Sequence, residues 1–234
     1  MKTIGLLGGM SWESTELYYR LINEGVKQRL GGLHSACMAM VSIDFHELEV
    51  LQHRGEWEGA GVMLADAAER VEAAGADFLL ICTNTMHKVV PQIEQRINIP
   101  ILHIVDATAQ RIKSDGIQTV GLLGTNFTME QDFYKGRLTE QHQLNVMVPS
   151  EQDRQTVHQI IYDELCLGIV KDISRQKYLN IIEQMREAGA EGVIAGCTEI
   201  VMLVQQQHTD VPLFDTTAIH AEVAVGFACG DQTV

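Results

Sequence analysis

The chain has 234 residues, 46% apolar and 21% charged, with a formal charge of −14; this fits one large or two small folded domains and excludes a disordered chain. So negative a chain, with no basic cluster, repels a phosphate backbone, which excludes nucleic acid as a partner. Nothing in it approaches the roughly 20 apolar residues of a membrane span, and the N-terminus runs into a short strand pattern instead of a signal peptide, so a cytoplasmic protein is expected.

Short β-branched runs alternate with stretches of helical period, the pattern of βα units around a parallel sheet. In chain order, a strand at 3–7 is followed by a helix at 14–30, a strand at 38–43, a helix at 57–74, a strand at 78–81, a helix at 86–96 and a strand at 101–104. The series then repeats: strand 119–123, helix 129–141, strand 144–148, helices 153–168 and 175–188, strands 192–195 and 213–214, and a last helix at 218–229. The segment 44–56, with Gln52, His53 and Arg54, reads as a loop.

Three landmarks occur twice in one order. Residues 75–85 match 189–199 at an offset of 114, 3–8 match 119–124 at 116, and 99–102 match 211–214 at 112. The chain therefore reads as a duplicated half. The expected fold class is α/β, two pseudo-symmetric lobes, each a four-stranded parallel sheet flanked by helices, with the active site between the lobes. Residues 1–107 plus 209–234 make the first lobe and 108–208 the second.

Ligands of open parallel sheets bind beyond the carboxyl ends of the strands. Four loops stand there: Gly8 to Ser14, Gly124 to Thr128, Cys82-Thr83-Asn84-Thr85 and Gly196-Cys197-Thr198-Glu199. The first is neither a GxGxxG nor a Walker loop, and taken singly its glycines and serines, like Thr125 and Thr128, read equally as turn and cap residues. Five cysteines without a close CxxC pair argue for reduced thiols and against a disulfide framework or a zinc site. Cys197 is either an inert buried thiol or, at a helix N-terminus beside Thr198, a thiol whose pKa is lowered. His87, His103 and His220 have no spacing that pairs one with Cys197, so a hydrolase triad is poorly supported.

Gly5-Leu6-Leu7-Gly8-Gly9-Met10, Thr83-Asn84-Thr85-Met86-His87, Gly124-Thr125 and Gly196-Cys197-Thr198-Glu199-Ile200 resemble, in order and over essentially the whole chain, the aspartate/glutamate racemase family. The resemblance implies a homodimeric amino-acid racemase that uses neither pyridoxal phosphate, metal nor nucleotide. It assigns catalysis to positions 83 and 197, one on each face of the substrate's α-carbon. Here the first of these is Thr83 where the family usually has cysteine, and Cys82 lies one residue too early, aligned by the internal repeat with Gly196. Cys197 would take the α-proton of the L-enantiomer and Thr83 would serve the D-side. The substrate-binding set would be Met10 in the glycine loop with Asn84, Thr85, Thr125 and Thr198 at the α-carboxylate. The lysine often found near Cys166 in the family is missing, which leaves Gln52, His53 and Arg54 to meet the side chain. Two alternatives stay open: a single-cysteine relative of the arylmalonate decarboxylase or maleate isomerase type, and a protein that binds an amino acid without turning it over.

Overall fold

The computed structural model describes residues 1–230, which divide into two compact units, Met1–Ile104 with the chain from His220 onward, and Val105–Ile219. The first contains β1 (Ile4–Gly8), α1 (Trp12–Leu30), β2 (Met38–Ser42), α2 (Phe45–Arg54), α3 (Trp57–Ala73), β3 (Phe78–Ile81), a 3-10 turn (Thr85–Val89) and α4 (Val90–Glu94). Then come α5 (Ile104–Ser114), β4 (Thr119–Leu123), α6 (Asn126–Glu130), α7 (Asp132–Gly136), a π turn (Arg137–Gln141), β5 (Asn145–Met147), α8 (Glu151–Asp163) and a 3-10 turn (Leu165–Leu167). The second unit continues through α9 (Asp172–Glu187), β6 (Gly192–Ala195), α10 (Ile200–Leu203), a 3-10 turn (Gln206–His208) and β7 (Leu213–Asp215), and α11 (Thr216–Cys229) carries the chain back to the first.

The first sheet is parallel, in the order β2-β1-β3. β1 and β3 are buried and apolar on both faces, because each face meets helices, whereas the edge strand β2 is only partly buried. Ile4, Leu6, Phe78 and Leu80 pack with Tyr18, Ile22 and Val26 of α1 and with Ala224 and Phe227 of α11, whereas Leu7, Leu79 and Ile81 cluster with Leu48 of α2 and Leu64 of α3. The second sheet is parallel in the order β5-β4-β6-β7. Leu123, Val193 and Ala195 there share a core with Val157 of α8, Tyr178 and Ile182 of α9 and Leu203 of α10. Among the described residues no helix is long and apolar enough to cross a membrane.

Four expectations are corrected. The first unit has three strands, not four: Ile101 makes a single bridge to Leu79. Pro100 has no N–H to extend that pairing, and the Ile104 N–H goes to His87 Nε2 (3.3 Å) as α5 begins. Residues 209–219 belong to the second unit because β7 pairs with β6, and the first crossing falls at Ile104, not after 107. The segment taken as a loop holds α2, whose start Asp44 caps by accepting the His46 N–H (3.0 Å) and whose end is Gly55, left-handed at φ 70°. The helix expected at 129–141 is broken into α6, α7 and the π turn.

Candidate functional site

In the first unit the loop after β1 is fixed by close packing and by its own hydrogen bonds. Gly9 has φ +93°, and a Cβ there would lie 2.2 Å from the Ile43 carbonyl oxygen, so no other residue fits without displacing β2. The Gly9 N–H donates to Thr15 Oγ1 (2.8 Å), which donates to the Ser11 carbonyl (2.9 Å), and Ser11 Oγ caps α1 by accepting the Ser14 N–H (3.3 Å). Met10 between them sends its side chain into the core cluster with Met86 and Ile81, which leaves its backbone as the part a ligand can meet.

The register sets Leu7 opposite Ile81, and Gly9 and Thr83 each follow that pair by two residues. Thr83 is half-buried; Asn84 and Thr85, which enter the 3-10 turn, are buried. His87 closes this turn, with Nδ1 2.8 Å from the Thr83 carbonyl and Nε2 facing the Ile104 N–H. A carbonyl only accepts and an amide only donates, so this geometry selects the neutral Nδ1–H imidazole. Its ring lies 4.5 Å from that of His103 and 6.0 Å from that of His220. His220 donates from Nε2 to the Leu102 carbonyl (2.7 Å) and accepts at Nδ1 from the Tyr18 hydroxyl (2.8 Å). Burial lowers its pKa to about 4.

Of the three candidates for the side-chain end, only Gln52 turns inward; His53 and Arg54 are exposed. Gln52 is buried in the last turn of α2, with Nε2 2.7 Å from Met86 Sδ and no hydrogen-bond partner at Oε1 among the described residues. Cys82 lies on the other face of the sheet, fully buried with Ile4, Leu6 and Tyr18. Burial raises its pKa far above the usual thiol range. It is a core residue.

In the second unit Thr125 and Cys197 take the matching places, two residues past the paired Leu123 and Ala195. Thr125 caps α6, its Oγ1 accepting the Thr128 N–H (3.3 Å) and lying 3.2 Å from Thr128 Oγ1. A Cβ on Gly124 would come within 3.0 Å of the Gly196 carbonyl, so the two loops touch through their glycines. Cys197 is 9% exposed, and its Sγ donates to Glu199 Oε2 at 2.8 Å. The Thr198 hydroxyl donates to the same oxygen at 2.7 Å, and both Thr198 and Glu199 are buried.

Here the expectation of a lowered thiol pKa is overturned. Burial first, and then the Glu199 charge, hold the Cys197 thiol well above its usual range. The helix that follows, α10, has four residues, too few to build the N-terminal field that the expectation required. Cys197 therefore rests as a thiol. Glu199 is the residue that sequence reasoning left without a role; the signal was an acidic side chain two positions after the strand-end cysteine. A thiol hydrogen-bonded to a buried carboxylate is a proton-transfer pair, and Thr198 orients its acceptor oxygen.

A family model described as Asp/Glu/Hydantoin racemase matches residues 7–224. A crystal structure of a candidate Asp/Glu racemase from Yersinia pestis is 54% identical, with a TM-score of 0.92 over 98% of this chain and 100% of that one. The structure of PH1733, an aspartate racemase homologue from Pyrococcus horikoshii, is 35% identical, with a TM-score of 0.85 over 98% and 100%. The broad specificity amino-acid racemase RacX of Bacillus subtilis is 25% identical over 166 residues, 69% of each chain.

Proposed function

The chain belongs to the Asp/Glu/hydantoin racemase family, and from that premise we propose that it interconverts L- and D-amino acids, aspartate and glutamate or a broader set, by α-proton transfer without pyridoxal phosphate. The observation that carries this reading is the Cys197 thiol at the carboxyl end of β6, hydrogen-bonded to a buried carboxylate. The relatives named for aspartate and for broad-specificity racemisation support the substrate class.

Cys197 takes the α-proton of the L-enantiomer, and Thr83, its counterpart past β3, serves the D-side. A threonine hydroxyl is too weak an acid to rest as an alkoxide, so Thr83 relays a proton or positions a water. Asn84, Thr85, Thr125, Thr198 and the backbone at Met10 hold the α-carboxylate and favour the enolate-like charge. Gln52, a neutral reader of the side chain, takes over the part that a lysine near position 166 often plays in the family. The enzyme works in the cytoplasm as a homodimer.

The test is α-proton exchange. L- and D-aspartate, L- and D-glutamate and a panel of neutral amino acids are incubated with the protein in D2O and followed by NMR and chiral chromatography. Deuterium at Cα with inversion is the expected result. Because the equilibrium constant of a racemisation is one, the two kcat/KM values must agree, while maximal rates and exchange rates differ between enantiomers. Binding without exchange, or turnover of malonates or maleate in place of amino acids, overturns the reading.

A further inference from the structure

The position of the Thr83 hydroxyl is set by the backbone that carries it. The Thr83 N–H closes a tight turn on the Ile81 carbonyl (2.8 Å). In the turn that follows, the His87 N–H goes to the Asn84 carbonyl (3.2 Å), and the Thr83 oxygen meets the His87 ring instead, at Nδ1 (2.8 Å). The other ring nitrogen accepts the Ile104 N–H (3.3 Å). That amide is the first of α5, and the first N–H of a helix has no acceptor within the helix. One buried imidazole thus bridges the Thr83 carbonyl and the start of a helix 17 residues further along the chain.

The far end of this bridge is itself firmly held. The first unit ends at Ile104 and resumes at His220, so both connections to the second unit leave from this neighbourhood. The Leu102 N–H donates to the Leu79 carbonyl of β3 (2.9 Å), and the Leu102 carbonyl accepts from His220 Nε2 (2.7 Å). His220 is anchored in turn by the Tyr18 hydroxyl of α1 (2.8 Å), and the His103 ring packs 4.5 Å from that of His87. Residues 102–104 are therefore gripped by a strand and two imidazoles, and through His87 the Thr83 turn shares that grip.

We propose, resting on the racemase reading above, that His87 is the positioning residue of the D-side: it fixes the Thr83 hydroxyl by holding the Thr83 carbonyl against the start of α5. His87 touches no substrate and transfers no proton. It works only as the neutral Nδ1–H imidazole, the form that donates to a carbonyl and accepts from an amide at once. The two halves of this role are separable by substitution. Asn23 Nδ2 donates to the Tyr19 carbonyl four residues back at 2.8 Å, so asparagine at 87 keeps the Thr83 end. Glutamine, one methylene longer, offers its oxygen to the Ile104 N–H and keeps the other end. Leucine keeps neither.

The experiment reads both ends of the bridge by NMR and the D-side by α-proton exchange. In wild type labelled at histidine and isoleucine nitrogens, the ring shifts should show His87 as the Nδ1–H tautomer, and the Ile104 amide should exchange at least about tenfold more slowly than in His87→Leu or His87→Asn. H87L should lose about thirtyfold in kcat for D-side exchange with KM changed less than about twofold, while L-side exchange with retention falls less than about threefold. H87N should return the D-side rate to within about fivefold of wild type without protecting Ile104, and H87Q should protect Ile104 yet remain as slow as H87L. That split in kcat, with rescue by the shorter amide alone, is one that a general loss of packing does not produce.

An Nε2–H tautomer or a rapidly exchanging Ile104 amide in wild type overturns the proposal, and neither measurement requires a variant to fold. Equal losses on the two sides in H87L, or D-side rescue by H87Q and not by H87N, overturn it as well. The Nδ1–H tautomer and a protected Ile104 amide without exchange of any amino acid support the bridge and remove the racemase reading instead.

Discussion

The ends of β3 and β6 occupy one place in two sheets and are finished differently. Past β3 the polar contact falls on backbone: neutral His87 holds the Thr83 carbonyl. Past β6 it falls on the reactive side chain, where Glu199 accepts from the Cys197 thiol. The first arrangement fixes position, and the second also supplies a proton acceptor. A fold that repeats its strand ends can thus build one for geometry and the other for acid–base chemistry, changing two or three side chains and no backbone topology.

Removing the acid–base end should break the comparison most completely. Cys197→Ala is expected to lower L-side α-proton exchange at least about a thousandfold while circular dichroism stays native, because little volume is lost with the thiol. Activity above a tenth of wild type would place the chemistry elsewhere.

The next largest effect lies in the imidazoles of the first unit. His220 has a folded pKa near 4 against about 6.5 unfolded, so between those values the unfolded chain binds more protons and stability rises with pH. Acidification should therefore weaken the first unit, with a loss that begins below about pH 6.5 and reaches about 3 kcal/mol once the pH is under 4. Hydrogen exchange of the α1 amides during urea titrations at several pH values reads this directly, and a His220→Asn variant should have a flatter profile. Equal pH dependence in both proteins would assign the acid loss to other groups.

Making the two ends alike sharpens the comparison. Thr83→Cys places a smaller, more acidic group at the β3 end, and D-side exchange under saturation should rise about tenfold, equivalent to about 1.4 kcal/mol at that barrier. An unchanged or lower D-side rate would show that Thr83 is not the counterpart of Cys197. The smallest effect belongs to Cys82→Ala, expected to alter turnover less than twofold while costing roughly 1–2 kcal/mol of stability as a buried truncation. A loss as large as that of Cys197→Ala in a well-folded protein would mean that position 82 faces the chemistry.

The alternating apolar runs made β1, β3, β4 and β6 legible, since burial on both faces leaves no other use for Phe78-Leu79-Leu80-Ile81 or Gly192-Val193-Ile194-Ala195. The same alternation placed Cys82 and Thr83 on opposite faces. Helix α2 carries sequence signals too: Asp44, Glu47 and Gly55 mark its start and stop. The single bridge at Ile101 was not legible, because what ends that strand is the acceptor nitrogen of His87, distant in sequence. Nor was the ionisation of Cys197. A helix N-terminus is visible in sequence, but its strength depends on helix length and on burial set by the fold, and here burial first, then the neighbouring Glu199, outweighs the field of a four-residue helix.

Helix α11 has a consequence for how the protein is made. Its residues Ala221, Ala224, Val225 and Phe227 cover the face of the first sheet formed by Ile4, Leu6, Phe78 and Leu80, yet they follow those strands by well over a hundred residues, with the whole second unit in between. On a ribosome the second unit completes itself from consecutive residues, while the first waits with an uncovered apolar sheet, the kind of surface that draws chaperones or aggregates. The Lys2 N–H donates to the Ala228 carbonyl at 2.9 Å, so the helix and the first strand lie within reach of a short linker. A circular permutant that begins with α11 and runs directly into β1 would be born with that face covered, and should give more soluble protein at high expression than the natural order does.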